Sequence, residues 1–290
     1  MSQRSGAGPI RHEPVAREAW HAACKPAGAL PPTARQDQKW PDVVWIVRHG
    51  ESAGNVARAR AYLAQQALID IQARDPDVPL SEVGRAQAAA LGCWFAAMPA
   101  AERPAALLTS PYARARQTAE IVAEVADLYT DDDVRLVVDE RLREKELGVL
   151  DRLTRWGIEA RYPEQAELRA RLGKFYHRPP GGESWCDVIL RLRSVIDTLT
   201  REYCGERVLI VCHSVVVLCF RYLFERLSEQ EVLEVDRTCE VANCAVTEYV
   251  FDPTVGKRGK LVRRLYNFVA PIEQAGEPVT SAPDVKTAAP

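Results

Sequence analysis

The sequence predicts an α/β protein with buried parallel strands, and three stretches carry that prediction. Val43-Val44-Trp45-Ile46-Val47 runs without a polar residue and stops at Arg48-His49-Gly50. Ala105 to Leu108 is shorter and stops at Thr109-Ser110-Pro111. Arg207-Val208-Leu209-Ile210-Val211-Cys212 runs into His213-Ser214. An uninterrupted apolar run is the pattern of a strand covered on both faces. Each run ends in polar residues and is followed by a helix-like stretch. In open α/β sheets the carboxyl ends of the strands are where ligands bind. Glycine at position 50 is expected to leave room for a ligand beside the backbone.

Composition sets the frame. The chain has 290 residues, 47% of them hydrophobic and 27% charged, enough for one large domain or two small ones. A formal net charge of −2 argues against bulk-charge binding of nucleic acid or of an anionic membrane, while leaving room for a locally basic pocket. No apolar run approaches a membrane span, and no signal peptide is visible at the N-terminus. Eight cysteines occur without a C-x-x-C, so they read as reduced thiols in a cytoplasmic protein.

In chain order, residues 1–40 are rich in Ala, Arg, Pro and Gly and read as a mobile tail, followed by a domain over 41–270. After the first strand, Ala57 to Ala73 has helix-forming composition, broken by Asp75-Pro76-Asp77-Val78-Pro79. Ser81 caps a second helix, with Leu80, Val83, Leu91, Trp94 and Phe95 at helical spacing and Pro99 at its end. The strand at 105–108 leads to a helix through Ile121 to Tyr129, with Arg114 and Arg116 in its first turns. Arginines there oppose the helix dipole. They are either solvated surface groups or partners of an anion held at the helix N-terminus. Val134 to Val138 reads as a third strand, and Arg143-Glu144-Lys145-Glu146 after it as a proton donor among bases or a salt-bridged loop.

Residues 151–178 read as two short helices whose aromatics suit packing or binding. The Pro179-Pro180-Gly181-Gly182 stretch must be a loop, and Ser184 caps an amphipathic helix with Val188, Leu192, Val195 and Leu199 on one face. Val215 to Leu227 is apolar and helical. Ala245 to Phe251 and Leu261 to Tyr266 read as late strands, and residues 271–290 as a disordered tail.

His49 and His213 are the two histidines that directly follow strand-like runs. With strand-end arginines and a nearby carboxylate they make a cationic cup with an acid at its rim. A phosphoryl group wants that arrangement: cations for its oxygens, a nucleophile in line, a proton donor for the leaving oxygen.

Taken together, Arg48-His49-Gly50-Glu51-Ser52 with Asn55, Thr109-Ser110-Pro111 with Arg114-Ala115 and Gln117-Thr118-Ala119, Leu142-Arg143-Glu144 with Gly148, Gly182-Glu183-Ser184, and His213 resemble the histidine phosphatase superfamily, the phosphoglycerate mutase-like enzymes. The motifs fall in the family's order over roughly residues 42–250. The resemblance implies a three-layer α/β/α sandwich with a mostly parallel central sheet, and phosphoryl transfer with neither cofactor nor metal. It implies His49 as nucleophile through a phosphohistidine, Arg48, Arg114 and His213 on the phosphate oxygens with Asn55 assisting, and Glu144 rather than Glu146 as proton donor. Ser214 stands where the family usually has glycine, as a helix cap or a phosphate contact. Glu144 and His213 are 69 positions apart, a short interval that resembles the phosphatase branch more than the mutases. On that analogy Tyr176, Arg178 and Glu183 face the leaving group.

The implied function is a phosphomonoesterase, a hydrolase acting on a small-molecule phosphate ester. The alternatives are a cofactor-dependent phosphoglycerate mutase and a catalytically silent phosphoprotein-binding module. Neither nucleic acid nor membrane is an expected partner. The oligomeric state is open, a homodimer being one option.

Overall fold

The computed structural model describes residues 38–128 and 136–281. Its centre is a six-stranded sheet ordered β3-β2-β4-β1-β5-β6, the middle layer of a three-layer α/β/α sandwich. The strands are β1 (Val43–Arg48), β2 (Ala106–Thr109), β3 (Leu136–Val138), β4 (Arg207–Cys212), β5 (Val246–Asp252) and β6 (Lys260–Phe268). β1 and β2 both lie parallel to β4, and β3 lies parallel to β2. β5 and β6 are antiparallel additions at one edge. The three apolar runs of the sequence are thus β1, β2 and β4, with β4 between the other two. Val44, Ile46, Val47, Val208, Leu209, Ile210 and Val211 have no exposed surface, as strands covered on both faces require. Each such side chain contributes about 1.5–3 kcal/mol on burial.

The helices are α1 (Ala53–Leu63), α2 (Glu82–Ala96), α3 (Ala113–Val125), α4 (Arg155–Arg161), α5 (Pro163–Tyr176), α6 (Trp185–Glu202), α7 (Ser214–Glu225), α8 (Glu229–Thr238) and α9 (Ala270–Gln274). Ser81 caps α2 by accepting from the Gly84 N–H, and Ser184 caps α6 from the Asp187 N–H, as the sequence predicts. The buried face of α6 carries Val188, Leu192, Val195 and Leu199.

Several boundaries differ from expectation. α1 stops at Leu63 rather than running to residue 73. Gln65 takes a positive φ of 51°, and the chain beyond it bonds to a distant loop instead of to itself: Ile69 N–H donates to Arg152 O at 2.9 Å, and Ala67 O accepts from Thr154 N–H at 3.1 Å. Helix propensity is weak enough for such contacts to override it. α3 ends at Val125; Tyr129, the expected end, and Val134 and Arg135 lie outside the described residues.

The disordered tail expected over 271–290 is corrected for its first part. α9 buries Pro271 and Ile272, and Gln87 Nε2 donates to Pro278 O at 2.8 Å and to Thr280 Oγ1 at 2.9 Å. Asn243 N–H donates to Thr280 O at 2.8 Å. Backbone groups so paired belong to the fold. Residues 282–290, and the tail expected at the N-terminus up to residue 37, lie outside the described residues.

Candidate active site

Register builds the floor of the site. β1 and β4 pair in parallel with Arg48 opposite Cys212, so the next residue on each strand is a histidine. His49 N–H donates to Cys212 O at 2.9 Å, and the two imidazole centroids lie 5.1 Å apart. Both histidines are buried, at 3% and 0% exposure. His49 lines a cavity of about 390 Å³ beyond the carboxyl ends of β1 and β4, and Ser214, next to His213, lines it too. α1, α3 and α7 all begin around this floor, and none has an acidic residue in its first turn. Helix N-termini left free of acids favour an external anion.

His49 is oriented at both nitrogens. Nδ1 lies 2.7 Å from the Gly50 carbonyl oxygen, which fixes the ring proton on Nδ1. Nε2 therefore carries the lone pair, and it accepts from Arg114 Nε at 3.2 Å. Burial, then Arg114 and Arg48, hold the imidazole well below its ordinary pKa. It is neutral at physiological pH, the state a nucleophile needs. His213 is depressed in the same way, first by burial and then by Arg114. Its Nε2 meets Ser110 Oγ at 2.8 Å, and its Nδ1 is buried with no partner.

Arg48 is 4% exposed, with Nη1 on the Val241 carbonyl at 2.5 Å and a buried Nε that has no partner. Burial pulls its pKa down to about 10, so it stays charged. Arg114 is buried in the first turn of α3, whereas Arg116 is exposed; of the two readings of these arginines, Arg114 takes the anion-site place and Arg116 the solvated one. Asn55 lines the cavity and closes the capping box of α1 by accepting from the Ser52 N–H.

Glu144 lines the cavity and accepts from the Lys145 N–H at 2.8 Å. Burial pushes its carboxyl above the ordinary value; the Lys145 N–H, Arg114 and Arg48 oppose that, and Asp75 adds to it. A carboxyl so raised is suited to give up a proton. Glu146 also lines the cavity, but its Oε1 accepts from Tyr112 OH at 2.6 Å.

The structure brings Arg48, His49, Asn55, Arg114, Glu144 and Ser214 together on one cavity, and sets the His213 ring against that of His49 without making it a lining residue. It does not bring the expected leaving-group residues there. Tyr176 is 54% exposed and neighbours Glu229. Arg178 pairs with Asp187 at 2.5 Å on the surface. Glu183 accepts from Arg143 at 2.8 Å, from Arg191 at 3.0 Å and from the Glu146 N–H at 3.2 Å. Arg191 in turn donates to the carbonyls of Arg141 and Glu144. Glu183 thus holds the loop that carries Glu144 rather than facing a ligand.

Two smaller expectations change as well. Ser214 is the first residue of α7; His213 is the cap position and makes no side-chain cap bond, so Ser214 is a cavity residue and not the cap. Gly50 makes room for protein, since a Cβ there would lie 2.5 Å from the Gly84 carbonyl oxygen at the start of α2.

Sequence reasoning missed Ser110 as the partner of His213, Asn243 as a donor to the His49 carbonyl at 3.0 Å, and Asp75 on Arg114. Ser110 lies inside a quoted motif, and that was its signal. Asn243 and Asp75 had none, because long-range contacts place them. The outer wall adds Arg58, Arg74, Lys145, Arg152, Arg169 and Lys174 against Asp75, Glu146 and Asp151.

A strand-end histidine pair, two buried arginines and a buried carboxyl with a raised pKa thus meet around one cavity. The family model of the histidine phosphatase superfamily, branch 1, matches residues 44–262, and the chain belongs to that superfamily. It is 31% identical over 193 residues to 2,3-bisphosphoglycerate-dependent phosphoglycerate mutase 2 of Gloeobacter violaceus, covering 66% of this chain and 79% of that one. It is also 31% identical over 189 residues to a probable fructose-2,6-bisphosphatase of Schizosaccharomyces pombe, covering 65% of this chain but only 40% of that one. The solved structure of Bacillus stearothermophilus YhfR superposes with a TM-score of 0.61 at 27% identity, covering 79% of this chain and 98% of the other. Phosphatases and mutases thus both stand among its relatives. Among the described residues no helix is long and apolar enough to cross a membrane.

Proposed function

We propose that the protein is a phosphomonoesterase working through a phosphohistidine on His49. The observation that carries this reading is the state of His49: a neutral, buried imidazole with its proton committed to the Gly50 carbonyl and its Nε2 lone pair among Arg48, Arg114 and His213. A phosphate monoester entering the cavity places its oxygens against the two arginines and the neutral His213. Nε2 attacks phosphorus as the ester oxygen leaves, and that oxygen takes the proton of Glu144. The Glu144 carboxylate then takes a proton from water as the water oxygen attacks the phosphohistidine. Inorganic phosphate departs and His49 returns to its neutral form. The short interval between Glu144 and His213 favours a phosphatase. The second reading, a phosphoglycerate mutase, is favoured by the named relative and by the cationic outer wall, which suits a ligand with a second anionic group.

The test is phosphate release from an aryl phosphate ester and from 3-phosphoglycerate, by wild type and His49→Ala, without added metal. Release by wild type, reduced at least ~10⁴-fold in a folded His49→Ala, is expected. A variant retaining a tenth of wild-type activity refutes the nucleophile. Absence of release from either ester, with phosphoglycerate interconversion that requires bisphosphoglycerate, replaces the phosphatase by the mutase. Absence of both leaves the silent binding module.

A further inference from the structure

Arg114 is the cation best placed to receive a phosphoryl group, and all three of its guanidinium nitrogens are already engaged. Nε donates to His49 Nε2 at 3.2 Å. Nη1 donates to the backbone carbonyl of Asp75 at 2.7 Å and to its Oδ1 at 3.1 Å, and Nη2 donates to Oδ2 at 3.2 Å. Two carboxylate oxygens facing two terminal nitrogens is the fork by which arginine also holds phosphate. Asp75 opens a short 3-10 turn, Asp75–Asp77, on the cavity wall, and its side chain is 44% exposed where that of Arg114 is 7% exposed. An anion carried on an outlying segment thus covers the anion-binding edge of a buried cation. Its neighbour Asp77 pairs with Arg74 instead, and both of those side chains face solvent.

We propose that Asp75 is a resident anion that gates the site, by occupying the fork of Arg114 and holding its Nε on the lone pair of His49. This rests on the reading of the cavity as a phosphate site and adds to it a residue that sets its affinity. Substrate phosphate displaces the carboxylate, the guanidinium turns to the phosphate oxygens, and Nε2 is released for attack. A carboxylate has one negative charge and two oxygens. A phosphate ester dianion has two charges and three free oxygens, so it displaces the gate where a weaker anion does not. The cost falls on binding, so Asp75 governs KM and the affinity for inorganic phosphate more than kcat.

The experiment compares wild type, Asp75→Asn, Asp75→Ala and Asp77→Asn as full-length chains. Inorganic phosphate is titrated calorimetrically, and KM and kcat are measured for an aryl phosphate ester. Asparagine keeps an oxygen for Arg114 and a side chain suited to the turn, so a folding defect in the alanine variant leaves the test intact. Both Asp75 variants are expected to bind inorganic phosphate about tenfold more tightly, equivalent to roughly 1.4 kcal/mol, with KM lowered in step and kcat changed less. Asp77→Asn is expected to match wild type. Unchanged or weaker phosphate binding in Asp75→Asn overturns the gate, as does equal tightening in Asp77→Asn, which would mark a bulk-charge effect. If wild type turns over no ester, the phosphatase reading fails, while the phosphate titrations still decide the gate. Binding of phosphate by none of the four overturns both.

Discussion

At the floor of the cavity His49 and His213 end two adjacent parallel strands in continuous register, whereas its roof, residues 64–79 and 144–152, has neither an α-helix nor any strand pairing beyond an isolated bridge between Leu68 and Leu153. The floor is held by the sheet. Moving either histidine would mean breaking ladder bonds between strands that are buried at every position after their first residue. The roof is held by scattered contacts between segments, among them Ile69 N–H to Arg152 O, Arg152 Nη2 to Ala73 O at 3.1 Å, and Val149 N–H to Pro180 O at 3.0 Å. Under the proposed function, chemistry falls on the rigid part, and the groups that would meet the rest of a ligand on the irregular part. A roof change should therefore alter which ligand binds and how tightly, while a floor change should alter the rate of the chemical step.

Glu144 breaks this division, because it sits on the roof and is assigned chemistry. Glu144→Gln is expected to lower kcat/KM for an alkyl phosphate by about 10²–10³-fold, and for an aryl ester with a good leaving group by much less. The alkoxide needs the proton and the phenolate does not. Burial raises the Glu144 pKa, so the acid form persists further up the pH scale and its contribution is lost as pH rises through that raised value. The alkaline limb of the wild-type profile should accordingly vanish in the variant. Equal losses on both esters, or an unaltered alkaline limb, would remove Glu144 from the proton-donor role.

The same division decides how much was legible in the sequence. β1, β2 and β4 stood out because strands covered on both faces must be apolar throughout, and the residues that interrupt them, His49, Ser110 and His213, are the floor. Arg114 stood out because an arginine in the first turn of a helix opposes its dipole. Placement of the roof residues depends on contacts between segments about 80 positions apart, such as Ile69 with Arg152, which no local pattern encodes. For that reason residues 64–73 were expected to continue a helix, and Tyr176, Arg178 and Glu183 were expected in a cavity they do not line. The tail after residue 270 misled in another way: its composition is that of an unstructured segment, yet Gln87 and Asn243 bind its backbone.

Ser110 sharpens the floor's side of the comparison. Its hydroxyl hydrogen-bonds His213 Nε2 at 2.8 Å, while Nδ1 is buried and lacks a protein partner, so this one contact sets the tautomer of the ring. Ser110 thereby orients the His213 ring, as the Gly50 carbonyl orients that of His49. Ser110→Ala removes one hydrogen bond, worth about 0.5–1.5 kcal/mol, and releases the tautomer. A fall of about tenfold in kcat with little change in KM is expected, measured on the aryl ester. A change confined to KM would place Ser110 among ligand-binding groups.

The smallest effect concerns His177, which lies behind the roof at the end of α5 and is 1% exposed. Burial, then Arg169 and Lys145, hold its pKa down to about 4 from an ordinary value of 6.5. Between those two values the unfolded chain binds a proton that the folded chain refuses, so stability falls as pH drops from about 6.5 toward 4 and the loss is complete below that window. His49 and His213 impose the same sign from the floor, since both are held neutral by burial. His177→Gln removes the roof's share alone. Urea unfolding at pH 7.5 and pH 5 should show a smaller acid loss of stability in the variant than in wild type, with kcat at pH 7.5 unaltered. If the acid loss is undiminished, the floor histidines and the carboxylates carry it entirely. If kcat falls with it, His177 supports the cavity as well as the packing behind it, and the separation of roof from chemistry is less complete than the contacts around it imply.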